Sequence, residues 1–241
     1  MPGAPWALRG SPRKSSLSMD RDKSVASGPR PLILLYGGAF DPVHRGHLAV
    51  AAGAWATTGA DRLCFLPAGQ SPFKAAGQAS AAHRLAMLQR AVAALPGAEI
   101  DDQELHRSGR SYTVETLRAL RARFGEDAAL VWLLGADAAA GLPRWHEASA
   151  LPQLAHVLVV ARPGTAIPDL DTGPEPRFER SVPQAFRDAP GGRWASLDLG
   201  AYPEASQTIR ARLAAGEAVG DLLPPVVSSY ISAKGLYGPP A

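Results

Sequence analysis

From Pro31 onward the chain alternates short, unbroken apolar runs with longer segments whose apolar positions recur at helical spacing. The apolar runs are LILLY (32–36), RLCFLP (62–67), ALVWLLG (129–135), HVLVVAR (156–162) and RWASLDL (193–199), with EIDDQEL (99–105) a weaker sixth. Their length and their Leu, Val and aromatic content predict strands. Between them, ASAAHRLAMLQRAVAAL (79–95) sets Leu85, Leu88, Val92 and Leu95 on one stripe, with Arg84, Gln89 and Arg90 turned outward. SYTVETLRALRARFG (111–125) and TIRARLAAG (208–216) repeat the helical period. PPVVSSYISAKGLYG (224–238) reads as a packing helix, with Pro225 in its first turn, an apolar stripe of Val226, Val227, Tyr230 and Ile231, and Gly235 as its stop.

A strand that is apolar at every position has no solvent side, so runs of this kind, alternating with helices, predict a parallel sheet covered on both faces. Right-handed crossovers then make it a doubly wound α/β domain of Rossmann-like architecture. Ligands of such sheets bind beyond the carboxyl ends of the strands, which directs attention to the loops after LILLY and ALVWLLG. The Pro-, Gly- and charge-rich stretch 163–192 reads as a surface loop or insertion.

Composition narrows the class. At 241 residues and 46% hydrophobic content the chain can build one sizeable core, and residues 31–241 read as a single domain. Residues 1–30 hold six Lys or Arg against two Asp, so they carry more than the whole net charge of +3 and leave the rest close to neutral. Their Ser, Gly and Pro content and lack of periodicity predict a disordered basic extension, within which Met19 is a second candidate start. A basic tail could touch nucleic acid or acidic surfaces, but its composition favours a solvated extension, and no nucleic-acid partner is expected. No apolar run approaches the roughly 20 residues of a membrane helix, so no membrane partner is expected. Cys64 is the one cysteine, which excludes an intrachain disulfide and fits a reducing, cytoplasmic setting.

The most specific stretch is GGAFDPVHRGHL (37–48), lying between a predicted strand and the Ala-rich helix that follows. Gly37 and Gly38 would let the backbone approach a ligand, and Pro42 fixes φ ahead of the helix. The first helical turn offers free N–H groups and a positive dipole end to an anion. His44 and His47, at i and i+3, share one face there, and Gly46 between them leaves room for a phosphate chain. The plain alternative makes His44 a helix cap, His47 a satisfied core histidine and the glycines a turn. Zinc is a second alternative, but the motif has no HExxH, no nearby third ligand and no thiolate pair.

GGAFDPVHRGHL resembles the signature of the HxGH nucleotidyltransferase superfamily, and in particular of its nicotinate mononucleotide adenylyltransferase family. LPAGQSPFK (66–74), RLAML (84–88), ELHRSGRSYTVETL (104–117), LLGADAAAGLPRWHE (133–147), VARPG (160–164) and 208–237 extend the likeness in the expected order through essentially all of 31–237. The resemblance implies a nucleotidyltransferase fold and transfer of AMP from ATP to nicotinate mononucleotide, giving nicotinate adenine dinucleotide and pyrophosphate in NAD biosynthesis. It implies Mg²⁺ arriving with ATP, since Mg²⁺ keeps waters and phosphate oxygens and no carboxylate cluster suggests a protein-held metal.

By the same resemblance, His44, His47 and Arg210 are the catalytic set, contacting the ATP phosphates. Gly37, Gly38, Phe40, Gly135, Asp137 and Ser206 complete the ATP site, with Asp137 on the ribose. Lys74, Tyr112, Thr113 and Trp145 take the acceptor, Trp145 stacking on its pyridine ring and the Tyr112–Thr113 helix start receiving its carboxylate. Read alone, Asp137 could cap a helix, Trp145 could be core like Trp132, and Ser111 could be an ordinary N-cap. Arg84 and Glu104 read as structural partners. Two positions depart from the family pattern: Phe73 stands where histidine is common, and Gln207 where threonine helps hold phosphate. Two rival readings carry the same fold, transfer to a different phosphorylated acceptor and a catalytically silent nucleotide-binding module.

Overall fold

Each of the long strands alternates its side chains between two apolar layers. In β1 (Leu32–Gly38), Leu32 and Leu34 enter one layer while Ile33 and Leu35 enter the other. In β4 (Ala129–Gly135), Ala129, Val131 and Leu133 face the first layer, and Leu130, Trp132 and Leu134 the second. Neither face of these strands meets water, and a parallel sheet between two helical layers satisfies them.

The computed structural model describes residues 28–69, 78–161, 165–200 and 205–238. Among these, β1, β2 (Arg62–Pro67), β3 (Ala98–Ile100), β4, β5 (His156–Val160), β6 (Glu179–Arg180) and β7 (Arg193–Leu197) form one sheet in the order β3-β2-β1-β4-β5-β7-β6. Every pairing is parallel. The helices are α1 (Arg45–Thr58), α2 (Ala81–Val92), α3 (Thr113–Phe124), α4 (Ala136–Ala140), α5 (Leu151–Leu154), α6 (Ser206–Ala214) and α7 (Pro225–Lys234). Residues of α1, α2, α6 and α7 pack on the first layer, and those of α3, α4 and α5 on the second. The chain steps outward from β1 to β2 and β3, then returns to β4 on the other side of β1. The strand order therefore reverses between β1 and β4, the place where such sheets open a crevice.

The predicted doubly wound parallel sheet is what forms, with local corrections. EIDDQEL pairs only through Ile100, because Asp101 is capped into a turn by Gln103 and a 3-10 turn follows over Gln103–His106. The stretch 163–192 is more than a surface loop. It buries Leu170, Phe178 and Phe186 and adds β6 as a parallel edge strand beside β7. In α2 the buried face is Arg84, Met87, Leu88, Ala91 and Val92, so the stripe is rotated from its expected position and Arg84 points inward. Val226 turns to solvent, while Val227 and Ile231 carry the packing of α7. Arg30, counted with the basic extension, is tied to the domain through Asp127 and the Arg187 carbonyl. Residues 1–27 lie outside the described residues, as do Phe73 and Lys74. Among the described residues no helix is long and apolar enough to cross a membrane.

Candidate active site

The tip of α1 is held by its two histidines. His44 is the N-cap, with extended backbone at φ −136°. Its Nδ1 accepts a hydrogen bond from the His47 N–H at 3.3 Å, and His47 Nδ1 accepts one from the His44 N–H at 3.2 Å. This is a reciprocal capping box built from imidazoles in place of the usual Ser and Glu. Because both Nδ1 atoms accept from backbone N–H groups, the ring proton of each neutral histidine is assigned to Nε2, which becomes the donor. The rings lie 3.6 Å apart between centroids and 31° from coplanar. Two imidazolium charges that close would repel, so a doubly charged pair calls for an anion beside it.

The remaining amides of the turn sharpen this preference. His47 N–H is capped, whereas the N–H groups of Arg45 and Gly46 have no acceptor among the described residues. No acidic residue stands in the first turn. Uncapped amides and the positive end of a 14-residue helix together make an anion site. His44, Gly46, His47 and Val50 line one wall of a cleft that opens to solvent; Leu134, Gly135, Val160 and Ala161 form the facing wall. The cleft sits at the carboxyl ends of β1, β4 and β5, over the reversal in strand order.

Packing alone already calls for glycine at 37 and favours it at 38. A Cβ on Gly37 would lie 2.5 Å from Trp132 Cζ2, and one on Gly38 would lie 3.2 Å from Phe40 Cζ. The space beside these glycines is filled by the protein's own aromatics, so a side chain at Gly37 would collide with Trp132 and one at Gly38 would crowd Phe40. Phe40 itself takes a left-handed backbone, φ 48°, and its ring is buried against Tyr36, His47 and Phe65. Its side chain supports the His47 ring from the core and does not face the cleft.

Beneath the histidines, α6 is tied to the loop at 41–42. Ser206 donates its hydroxyl proton to the Pro42 carbonyl at 3.0 Å, so Ser206 works here as a clamp. Arg210 Nη1 donates to the Asp41 carbonyl at 2.6 Å and lies 4.0 Å from Asp41 Oδ2. Arg84 and Glu104, read as structural partners, are that. Arg84 donates to the carbonyls of Ala39, Ala68 and Gly69, while Glu104 accepts from Thr116 and from the Gly69 N–H. Burial holds the Arg84 guanidinium below its usual pKa, and the charge of Asp41 works against that shift.

Across the β1–β4 crevice, Gly135 is the N-cap of α4 and Asp137 stands exposed in its first turn. Asp137 is thus not the capping residue. The indole of Trp132, which fills the space beside Gly37, also lines a small apolar cavity with Thr113, Leu117, Leu142 and Trp145. Tyr112, Thr113 and Trp145 are all half-buried around this second region. Tyr112 is the N-cap of α3 and makes no side-chain cap, and the Thr113 and Val114 amides have no acceptor among the described residues. Ser111 does not cap either; its Oγ is buried without a hydrogen-bond partner. The His146 ring packs against Tyr112 with centroids 4.3 Å apart and planes tilted by 33°, a neighbour that sequence reasoning did not single out. It also did not single out Asp41 and Tyr237, which meet at 2.5 Å. The signal for Asp41 was its place inside GGAFDPVH; Tyr237 gave none.

Comparison with known proteins fits this geometry. A family model described as cytidylyltransferase-like matches residues 35–206. A protein of Marinobacter nauticus named as a probable nicotinate-nucleotide adenylyltransferase is 39% identical over 85% of this chain and 96% of its own. One of the same name from Stenotrophomonas maltophilia is 41% identical over 87% of this chain and 98% of its own. The chain belongs to the nicotinate-nucleotide adenylyltransferase family. A Plasmodium falciparum nicotinic acid mononucleotide adenylyltransferase, solved in complex with NaAD, superposes with a TM-score of 0.67 at 16% identity, covering 86% of this chain and 98% of that one. The same Plasmodium enzyme complexed with APC gives a TM-score of 0.65. These two confirm the nucleotidyltransferase fold. For the zinc alternative, the described residues gather no set of three His, Cys, Asp or Glu that could hold a metal ion.

Proposed function

We propose that this chain transfers AMP from ATP to nicotinate mononucleotide. A phosphate oxygen of the acceptor attacks the α-phosphorus of ATP, the new P–O bond forms as the bond to the β-phosphate oxygen breaks, and pyrophosphate leaves. The nucleophile is already largely ionised near neutrality, since a phosphate monoester has its second pKa at about 6. The site therefore needs no general base. Its work is to hold two polyanions in line and to stabilise the charge that moves onto the leaving group.

The observation that carries this reading is the imidazole pair capping the amide-rich tip of α1 at the reversal of strand order. The capping bonds fix both Nε2–H donors before substrate arrives, which is the preorganisation that electrostatic catalysis requires. His47 Nε2–H serves the α-phosphate and His44 the neighbouring phosphates, with the Arg45 and Gly46 amides beneath them. The Arg210 fork takes the β and γ phosphates, and Lys74 adds a charge to the phosphate loop. Gly135 and Asp137 hold the ATP ribose, and Trp145 stacks on the pyridine ring. The uncapped start of α3 receives the nicotinate carboxylate, a charged group that the amide substrate lacks. Mg²⁺ enters with ATP, held by phosphate oxygens and waters.

The test is pyrophosphate release from ATP and Mg²⁺ with either nicotinate or nicotinamide mononucleotide, with the dinucleotide product identified by mass. The acid should be preferred by about 10- to 100-fold in kcat/KM, the value of one charge-assisted contact. No pyrophosphate with either acceptor would overturn the assignment, and equal rates would remove the α3 amides from recognition.

A further inference from the structure

The carboxylate of Asp41 is about 1% exposed, yet it lies in the middle of the phosphate-facing loop. Its Oδ1 accepts from the Tyr237 hydroxyl at 2.5 Å and from the Ala79 N–H at 3.1 Å. Its Oδ2 is buried without a hydrogen-bond partner and lies 4.0 Å from Arg210 Nη1. An ionised carboxylate so placed must be balanced by nearby cations. Two face it, Arg84 and Arg210. Arg84 has its Nη groups committed to three backbone carbonyls, whereas Arg210 spends only Nη1, on the Asp41 carbonyl, and keeps Nε and Nη2 without partners among the described residues. Arg210, the less committed of the two, is thus held by the backbone of Asp41 and drawn by its side chain.

Four segments meet at this carboxylate: the loop before His44, the entry to α2 just after the stretch holding Lys74, helix α6, and the turn that follows α7. Tyr237 adopts a left-handed backbone, φ 60°, an uncommon conformation for a non-glycine residue. Burial pushes its phenol up from the usual value, so it stays a proton donor throughout the physiological range.

We propose that Asp41 is a positioning residue for ATP: its buried carboxylate, held by Tyr237 and the Ala79 amide, sets the Arg210 guanidinium in place to grip the terminal phosphates. An arginine oriented before binding loses less rotamer freedom when the triphosphate arrives, so the gain falls on ATP and not on the acceptor. Both contacts to Asp41 run through Nη1, on the carbonyl at 2.6 Å and towards Oδ2 at 4.0 Å, which orients the guanidinium and leaves Nε and Nη2 for the phosphates. The proposal rests on the reading of Arg210 given above.

The test is a double-mutant cycle on ATP binding, by titration calorimetry with Mg²⁺, alongside steady-state KM values for both substrates. Asp41→Asn keeps the shape of the side chain and removes its charge. It should raise the ATP Kd and KM about tenfold while the acceptor KM changes by less than about twofold, and in an Arg210→Ala background it should change the ATP Kd by less than about twofold. Tyr237→Phe, which removes only the hydroxyl, should weaken ATP by about threefold and show the same coupling to Arg210. It carries the test if Asp41→Asn does not fold. Equal weakening of both substrates, or the same loss of ATP affinity with and without Arg210, would reduce Asp41 to a structural residue and overturn the proposal. If Arg210→Ala alone leaves ATP affinity intact, the reading of Arg210 fails instead, and the two failures are told apart.

Discussion

His156 shows how one side chain can couple the fold to pH without taking part in the chemistry. It is fully buried at the start of β5, stacked on Phe186. Its Nδ1 accepts from the Arg193 N–H at 3.1 Å and its Nε2 donates to the Ala189 carbonyl at 2.8 Å. Both ring nitrogens are used, and the ring is neutral. Burial, with the charges of Arg193 and Arg121, depresses its pKa to about 4, the Ala189 bond only partly offsetting this. The unfolded chain titrates near 6.5, so between these values the unfolded state binds the extra proton. The contribution of neutral His156 is therefore complete above pH 6.5 and is lost as the pH falls towards 4, on the order of 3 kcal/mol across the window. Urea midpoints measured from pH 7 to 4 should fall more steeply for the native chain than for His156→Gln. Parallel curves would show that His156 does not set the acid sensitivity.

At the scale of elements, Arg84 shows what periodicity conveys and what it misses. Leu85, Leu88 and Val92 lie in the helix that their spacing predicts, although it stops at Val92 and leaves Leu95 in the following turn, and the face that α2 buries includes Arg84 itself. Hydrophobicity alone does not reveal an arginine that turns inward to bind carbonyls. The guanidinium reaches Ala39 at 2.7 Å and Ala68 at 2.8 Å, joining the ends of β1 and β2 to α2. Arg84→Met should cost about 3 kcal/mol, since it strands these carbonyls while keeping the bulk of the stem. A thermal melt within experimental error of the native chain would contradict that role. The same limit explains the insertion. Its Pro, Gly and charge content marked a loop, but the isolated Leu170, Phe178 and Phe186 that anchor it form no pattern until β7 and His156 are beside them. EIDDQEL misled for the opposite reason, because Asp101 binds backbone and side chain of Gln103 and so ends the strand early.

For the molecule as a whole, the unbroken apolar strands and the GGAFDPVHRGHL loop were enough to anticipate a doubly wound sheet, and a cleft opens at its carboxyl edge beside that loop. That inference works because burial on both faces leaves a strand few alternatives. Roles that depend on long-range contacts were not legible. Gly37 is explained by Trp132, Ser206 by Pro42, and Asp41 by Tyr237, which is 196 residues away along the chain. The account stands on one structural claim, that the histidines capping α1 hold a triphosphate for attack. Its most direct test is the turnover number of His47→Ala at saturating ATP, Mg²⁺ and nicotinate mononucleotide, on protein shown by thermal melting to be folded. His44 still caps the helix in this variant, and losing the His47 half of the capping box costs the fold only about 1 kcal/mol, so a folded variant should be obtained. The account predicts a kcat lower by about 10² to 10³, the effect of removing one preorganised donor from the transition state. An unchanged kcat would contradict it.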